Sequence, residues 1–439
     1  EHHRRFAEWL RERAGEELLE IRATHLDRAT TLLAELDGAA PADLAGEAAA
    51  ALEEAGKRAL AREANQSARK LLLRSVDLEP NLRRRFAAAR AAWRLNDLPA
   101  VSAEMQAVRE AAGAAGEYRL QARAMTALAE VALYRDGDVA RARELGLDAL
   151  ELIDPDDAES RYDALGLLGT IGWWVGDLGS VERHAQQMLE LAQGTGRKDL
   201  ESQAATELAG VYEVRLEDDR VEPYLARAVE LAEESGSLLA RAWTCRVQGD
   251  RHLLHGDLDQ AEAAFENARA HFAEIGAAAP MARTLNELAH VAAKKNDLSR
   301  AEGLLREAIR TLKPLEDRGT LVESQRALAE VLLRQGKLDE AERYALEARE
   351  TVAPQDVSSL ATTSIALGLV RAAQGRHAEA ERLLREALAI LEHTDFLSHQ
   401  RKPVEVLAQF LRDRGRDEEA APFEVRLAEL TPASAAPIA

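Results

Sequence analysis

Few residues in this sequence have the types and spacing that bond-making chemistry needs. His252 and His255 stand three apart, which puts both rings on one helical face and offers two metal ligands, but no third ligand accompanies them. Gly194, Thr195 and Gly196 fall short of a phosphate cradle, because GxxxxGK occurs nowhere in the chain. HExxH and GxSxG are missing too, and the lone Cys245 leaves no cysteine pair for zinc or for an intrachain disulfide. Paired carboxylates abound, but with 77 acids they read as solvated faces. No catalytic residue, metal site or cofactor is assigned, and no enzyme is expected. The chemistry that stands out in so Ala-rich a chain is recognition. Trp173, Trp174 and Trp243 offer broad apolar contact, while Arg246, Asp250, Arg283, Asn286, His290, Arg326 and Glu330 offer directional hydrogen bonds and charge.

The elements that must carry these residues are read best from GDLDQAEAAFENA, residues 256 to 268. A turn opens on Gly256, and Ala261, Phe265 and Ala268 then follow at helical spacing. Gly249, seven before the turn and facing Ala261, would let two antiparallel helices approach closely. The same device returns at Asn96, Gly137, Gly176, Leu216, Gly256, Asn296, Gly336, Gly375 and Gly415, at intervals of 39 to 41 residues. Seven before most of these turns stands a small residue (Ala89, Gly169, Ala209, Ala289, Ala329, Gly368, Ala408), and five after stands an alanine or a valine. The third hairpin breaks the rule by one residue, since Ala129 lies eight before Gly137, and RDGD is expected to absorb the extra residue in its turn. An earlier copy pairs Gly56 with Ala68 and ends at Pro80. In the fifth, Pro223 is expected in the first turn of its helix, where proline is tolerated.

A helix, turn, helix unit with this small-residue code resembles the tetratricopeptide repeat, and ten copies run from about residue 49 to 432. The period departs from the usual length of about 34 residues, and the longer variant resembles the arrays of bacterial signalling ATPases. RRFAEWL followed by EIRATHLDRA resembles the segment that joins the nucleotide switch to the repeats in STAND-type ATPases, among them proteins with a class III adenylate or guanylate cyclase domain. The resemblance implies an all-α fold, a right-handed superhelical solenoid of tetratricopeptide-like hairpins. It also implies a concave face lined by the first helix of each repeat, where a protein or peptide would lie, and there it places Trp173, Trp174, Trp243, Arg246, Asp250, Arg283, Asn286, His290, Arg326 and Glu330. The bland alternative is that the tryptophans plug gaps between repeats and the charges pair with one another. The lysine and asparagine pattern of arrays that clamp a C-terminal carboxylate is not reproduced. His25 reads as a packed core histidine.

Three parts are expected: linker helices over 1–48 adjoining an upstream ATPase domain, one elongated array over 49–432, and a disordered tail over 433–439. The chain opens at Glu1 inside an amphipathic segment whose Phe6, Trp9 and Leu10 share a face, and it reads as a fragment of something longer. A net charge of -20 argues against general nucleic-acid binding, no apolar run approaches a membrane span, and the first residues are charged where a signal peptide is apolar, so a cytoplasmic protein is expected. One stretch dissents. Between Lys57 and Arg94 there are eleven Lys or Arg against three acids, and Arg83, Arg84 and Arg85 read either as a solvated face or as a docking surface for a neighbouring domain. Two functions suit these features: a sensor and scaffold module regulating a switch or cyclase domain of a signalling ATPase, or a free-standing scaffold for complex assembly.

Overall fold

The computed structural model describes residues 1–14 and 17–430, so the expected tail over 433–439 lies outside the described residues. Among them there are helices and no strand. Helices α1 (His2–Ala14) and α2 (Leu19–Asp37) precede ten hairpins. The first three are α3 and α4 (Ala42–Ala61, Asn65–Leu78), α5 and α6 (Leu82–Arg94, Leu98–Ala115), and α7 and α8 (Tyr118–Val131, Val139–Leu152). Hairpins four to six are α9 and α10 (Ala158–Val175, Leu178–Thr195), α11 and α12 (Lys198–Val214, Asp218–Ser235), and α13 and α14 (Leu238–His255, Leu258–Glu274). Then come α15 and α16 (Ala278–Lys294, Leu298–Leu312), α17 and α18 (Arg318–Arg334, Leu338–Thr351), α19 and α20 (Val357–Ala373, His377–Leu391), and α21 and α22 (Leu397–Arg412, Asp417–Glu429). Because α3 starts at Ala42, the expected boundary at residue 48 falls inside a helix.

Each turn is built the same way. All nine turn residues read from the sequence have φ between 58° and 86°, the left-handed region, which glycine enters freely and asparagine tolerates. The next residue then donates its N–H to the carbonyl five back, as Asp177 does to Gly172 and Asp297 to Ala292, closing off the first helix. Asp97, Asp138, Asp177 and Asp297 go on to cap the second helix, each accepting from a backbone N–H three residues on. The small residues seven before and the Ala or Val five after the turns are buried, most of them fully. Gly249 differs in its partner. A Cβ there would lie 2.5 Å from the Phe265 ring, so the bulk it accommodates is Phe265 and not Ala261.

The third hairpin hides its extra residue elsewhere than expected. Its turn is regular, and the helix before it swells into a π-helical turn over Ala132–Asp136, so Asp138 reaches back six residues to Ala132 instead of five. Pro223 is also displaced from its expected place: α12 starts at Asp218, two residues after its turn like the other second helices, which leaves the proline inside the helix beyond its first turn.

Where one elongated domain was expected, the chain forms two compact units, Glu1–Leu128 with Ile275–Ala277, and Ala129–Glu274 with Ala278–Ala439. Within the second unit the array curls until early turns meet late loops. A Cβ on Gly137 would stand 3.1 Å from that of Ala353, and one on Gly176 would meet Thr394 at 2.7 Å and Val357 at 3.1 Å. Trp173 packs on Phe396 with ring centroids 5.8 Å apart, and Arg215 pairs with Asp395 at 3.5 Å. One buried apolar cluster accordingly runs unbroken from Tyr162, Leu208 and Tyr212 to Ile365, Phe396 and Phe410.

Candidate binding surface

The first helices of hairpins four to eight turn a common set of side chains toward one another. Trp173 on α9 donates its Nε1–H to Glu207 on α11, and Glu207 lies within the fields of Arg246 on α13 and Arg283 on α15. Arg246 donates to Asp250 at 2.7 Å on its own helix. Arg283 stands beside Tyr134 of the π-helical turn and faces Asp317. Ser324 donates to Asn286 Oδ1 at 2.8 Å, tying α17 to α15. Arg326 bonds Glu323 at 3.0 Å and Glu330 at 2.8 Å, and Lys402 reaches Glu330 from α21 at 3.1 Å, two hairpins further along the chain.

The surface so lined is crowded yet accessible. Arg283, Asn286, Arg326 and Glu330 are half-buried, and His290 is exposed. Crowding still governs the charges. Burial, followed by the cations Lys294, Arg326 and Lys402, lowers His290 to about 4, so the ring is neutral at pH 7. Burial and then the Asp250 carboxylate push Glu287 up, with Arg246 and Arg283 opposing. Burial likewise raises Glu207 and Asp250. For Glu330 the balance reverses. Burial opposes its charge, but Lys402 and Arg326 outweigh it and hold the carboxyl at about 2.

The tryptophans are more committed to packing than the sequence-based expectation allowed. Trp173 is held by Glu207 and Phe396, Trp174 meets Tyr134 edge-on at 5.6 Å, and Trp243 meets the buried Phe272 at 5.1 Å. All three rings are half-buried against these neighbours, and Arg246 with Asp250 and Arg326 with Glu330 pair within the same surface. Neither Asn286 nor Arg326 is buried between repeats, so the polar part of the expected surface keeps its accessible edge. Glu207, Glu287, Tyr134 and Lys402 belong to the same surface and were not read from the sequence. The repeat register could have found one of them, since Arg283, Glu323, Thr362 and Lys402 follow at steps of 40, 39 and 40, the same steps as the turns.

In the first unit the basic stretch divides. Arg83 and Arg85 are exposed, but Arg84 is buried, bonded to Glu53 Oε2 at 2.9 Å and to the Glu79 carbonyl at 2.8 Å. As a docking residue Arg84 is therefore corrected: it is an internal tie between hairpins. Phe6 and Trp9 stack on each other and remain 41% and 50% exposed, whereas Leu10 of the same helix is buried at 2%. His25 packs against Phe6 and shares a hydrogen bond with His3. No described helix is long and apolar enough to cross a membrane.

Comparison with known proteins places the array. Residues 226–434 match the MalT-like TPR region. No curated protein sequence matches the chain. Among solved structures, a Rap protein complexed with Competence and Sporulation Factor aligns over 89% of this chain and 99% of its own, with a TM-score of 0.56 at 14% identity. A Podospora anserina putative kinesin light chain with TPR-like repeats aligns over 43% of this chain and 92% of its own, with a TM-score of 0.32 at 20% identity. The array is thus an all-α solenoid of tetratricopeptide-like helical hairpins, and its second half matches the MalT-like TPR region.

Proposed function

We propose that this chain is a protein- or peptide-binding sensor module that regulates a switch or cyclase domain of a cytoplasmic bacterial signalling ATPase. The observation that carries this reading is the match of residues 226–434 to the MalT-like TPR region, which covers most of the helices lining the polar surface of the second unit. The likeness of RRFAEWL and EIRATHLDRA to the linker of STAND-type ATPases supports it. The Rap structure, seen with a bound factor, supports a ligand on a fold of this kind. The ligand would meet Arg246, Asp250, Arg283, Asn286, His290, Arg326 and Glu330, with Glu207 and Glu287 added and with the tryptophans setting the walls. Arg83 and Arg85, joined by exposed Phe6 and Trp9, would face the neighbouring domain.

For binding to signal, it must favour one curvature of the array over another, and a coupling of about 1 to 3 kcal/mol would be ordinary. The test has two arms in the full-length protein. Replacing Asn286 and Arg326 with alanine should abolish the response to ligand while leaving the array folded by circular dichroism. Reversing Arg83 and Arg85 to glutamate should uncouple array and effector while ligand still binds. A reading frame that opens just before Glu1, with no ATPase upstream, would reduce the function to scaffolding.

A further inference from the structure

We infer that the line along which the second unit meets itself is a clasp that governs access to its polar interior. This rests on the binding surface proposed above and adds a device that controls it. In an ordinary solenoid each repeat touches only its neighbours, and the inner face stays open along its length. Here the contacts skip hairpins. Gly137 meets Ala353, which is 216 residues away (353 − 137), and Gly176 meets Thr394, 218 away (394 − 176). Arg215 at the fifth turn pairs with Asp395.

A second set of contacts closes the line from inside. A Cβ on Gly319, in the first turn of α17, would fall 2.7 Å from Trp174 and 3.0 Å from Tyr134, so only a residue without a side chain admits these rings. Arg283 stands beside Tyr134 across the same line. The π-helical turn sets this geometry, since one residue fewer before Tyr134 would rotate its ring by about 100° around the helix.

The two sides of this line differ in what holds them. Trp173 on Phe396 is apolar and belongs to the continuous core, whereas Arg215 with Asp395 is a partly exposed ion pair whose carboxylate is 64% accessible. Pairs of that kind add little individually and are the first to part in a local opening. A bulky ligand bound for His290, Glu287 or Arg326 must enter past this line or through the open ends of the curl. The inference is that it enters past the line.

The full chain tests this without any biological ligand. Cys245→Ser removes the native thiol, Glu287→Cys supplies a half-buried reporter, and Gly137→Cys with Ala353→Cys supplies a lock. Oxidation should join the two lock thiols in a disulfide within one molecule, and it should slow labelling of the reporter by a bulky dye maleimide about tenfold or more, with reduction restoring the rate. In the unlocked protein Asp395→Arg, which repels Arg215 but leaves the Arg215 pair with Glu182 in place, should speed the same labelling severalfold. N-ethylmaleimide, small enough for the ends, should react at one rate throughout. Equal dye rates in the reduced and Asp395→Arg proteins would overturn the clasp whether or not the lock forms, as would a formed lock that leaves the dye rate unchanged. Either result leaves the ligand reading to its own test, and loss of ligand response in the Asn286 and Arg326 variants would leave the clasp untouched.

Discussion

At the level of single residues, the turns show how far local rules reach. Leu216 holds the left-handed position that glycine or asparagine fills at the other eight turns, with φ of 58°, and a leucine there is strained by roughly 1 to 2 kcal/mol. Leu216→Gly should therefore raise the stability of the second unit by about 1 kcal/mol in chemical denaturation, less whatever contact the side chain gives up. Glu213 makes a different case. It is only 9% exposed, neither oxygen has a hydrogen-bond partner, and the nearest cation, Arg251, stands 3.7 Å away. Burial first, then Asp250 and Asp218, push its pKa from 4.5 up to about 7, with Arg251 opposing. Between those two values the folded chain holds a proton that the unfolded chain has released, so this group's contribution falls as pH rises from 4.5 to 7 and stays low above. Glu213→Gln should accordingly raise the melting temperature at pH 8 and leave it unchanged at pH 4.5; a gain of equal size at both values would point to packing instead. The turn positions were legible in the sequence because one backbone conformation selects Gly and Asn by type. Glu213 was not, because its chemistry comes from neighbours on α12 and α13 that spacing along one helix does not reveal.

Hairpins add a second layer of information, carried by volume. The small residue before each turn and the Ala or Val after it mark where two helices approach, and their burial accounts for the fixed period. The partner of the small residue was harder to read. Gly249 makes room for Phe265, one helical turn beyond Ala261, because a bulky ring leans back toward the start of its own helix. Gly249→Leu should overpack this hairpin at a cost of about 1 to 3 kcal/mol, and trimming the ring in Gly249→Leu with Phe265→Ala should recover part of it. Gly169 occupies the same register, yet a Cβ there meets nothing within 4 Å, so Gly169→Ala should be neutral or stabilise by up to about 1 kcal/mol. A denaturation midpoint that moves alike for both substitutions would break the link between register and crowding. Ion pairs supply a further stitch between hairpins. Glu182, Glu222, Glu262, Glu302, Glu342 and Glu381, at steps of 39 or 40 residues, each bind cations of the following hairpin. Lys337 leads Arg306 and Gln335 in holding Glu302 at about 2. Such a ladder was invisible among 77 acids until the helices fixed which of them share an edge.

For the molecule as a whole, nearest-neighbour packing predicts gradual unfolding from the ends, and in the second unit the curl overrides it. Because Tyr162, Tyr212 and Ile365 share one core with Phe396 and Phe410, native-state hydrogen exchange should show hairpins four, five, nine and ten opening together, at closely similar free energies. Protection that instead decays smoothly toward α22 would return the unit to a simple linear stack. This closure was not legible in the sequence. Each repeat reads as a unit with its neighbours, and only the accumulated rotation over more than five repeats decides whether distant turns meet. The meeting of distant turns also bears on how such an array can evolve. Tandem units are commonly gained and lost by whole-copy duplication, since an open stack accepts one more or one fewer without penalty. In the second unit the facing partners lie between five and six copies apart, so excising a single copy between Gly176 and Val357 would bring each turn opposite the wrong loop and leave Trp173 without Phe396. Copy number there is fixed by geometry, much as the strand number of a closed barrel is, and length variation among descendants of this chain should be confined to copies outside that span.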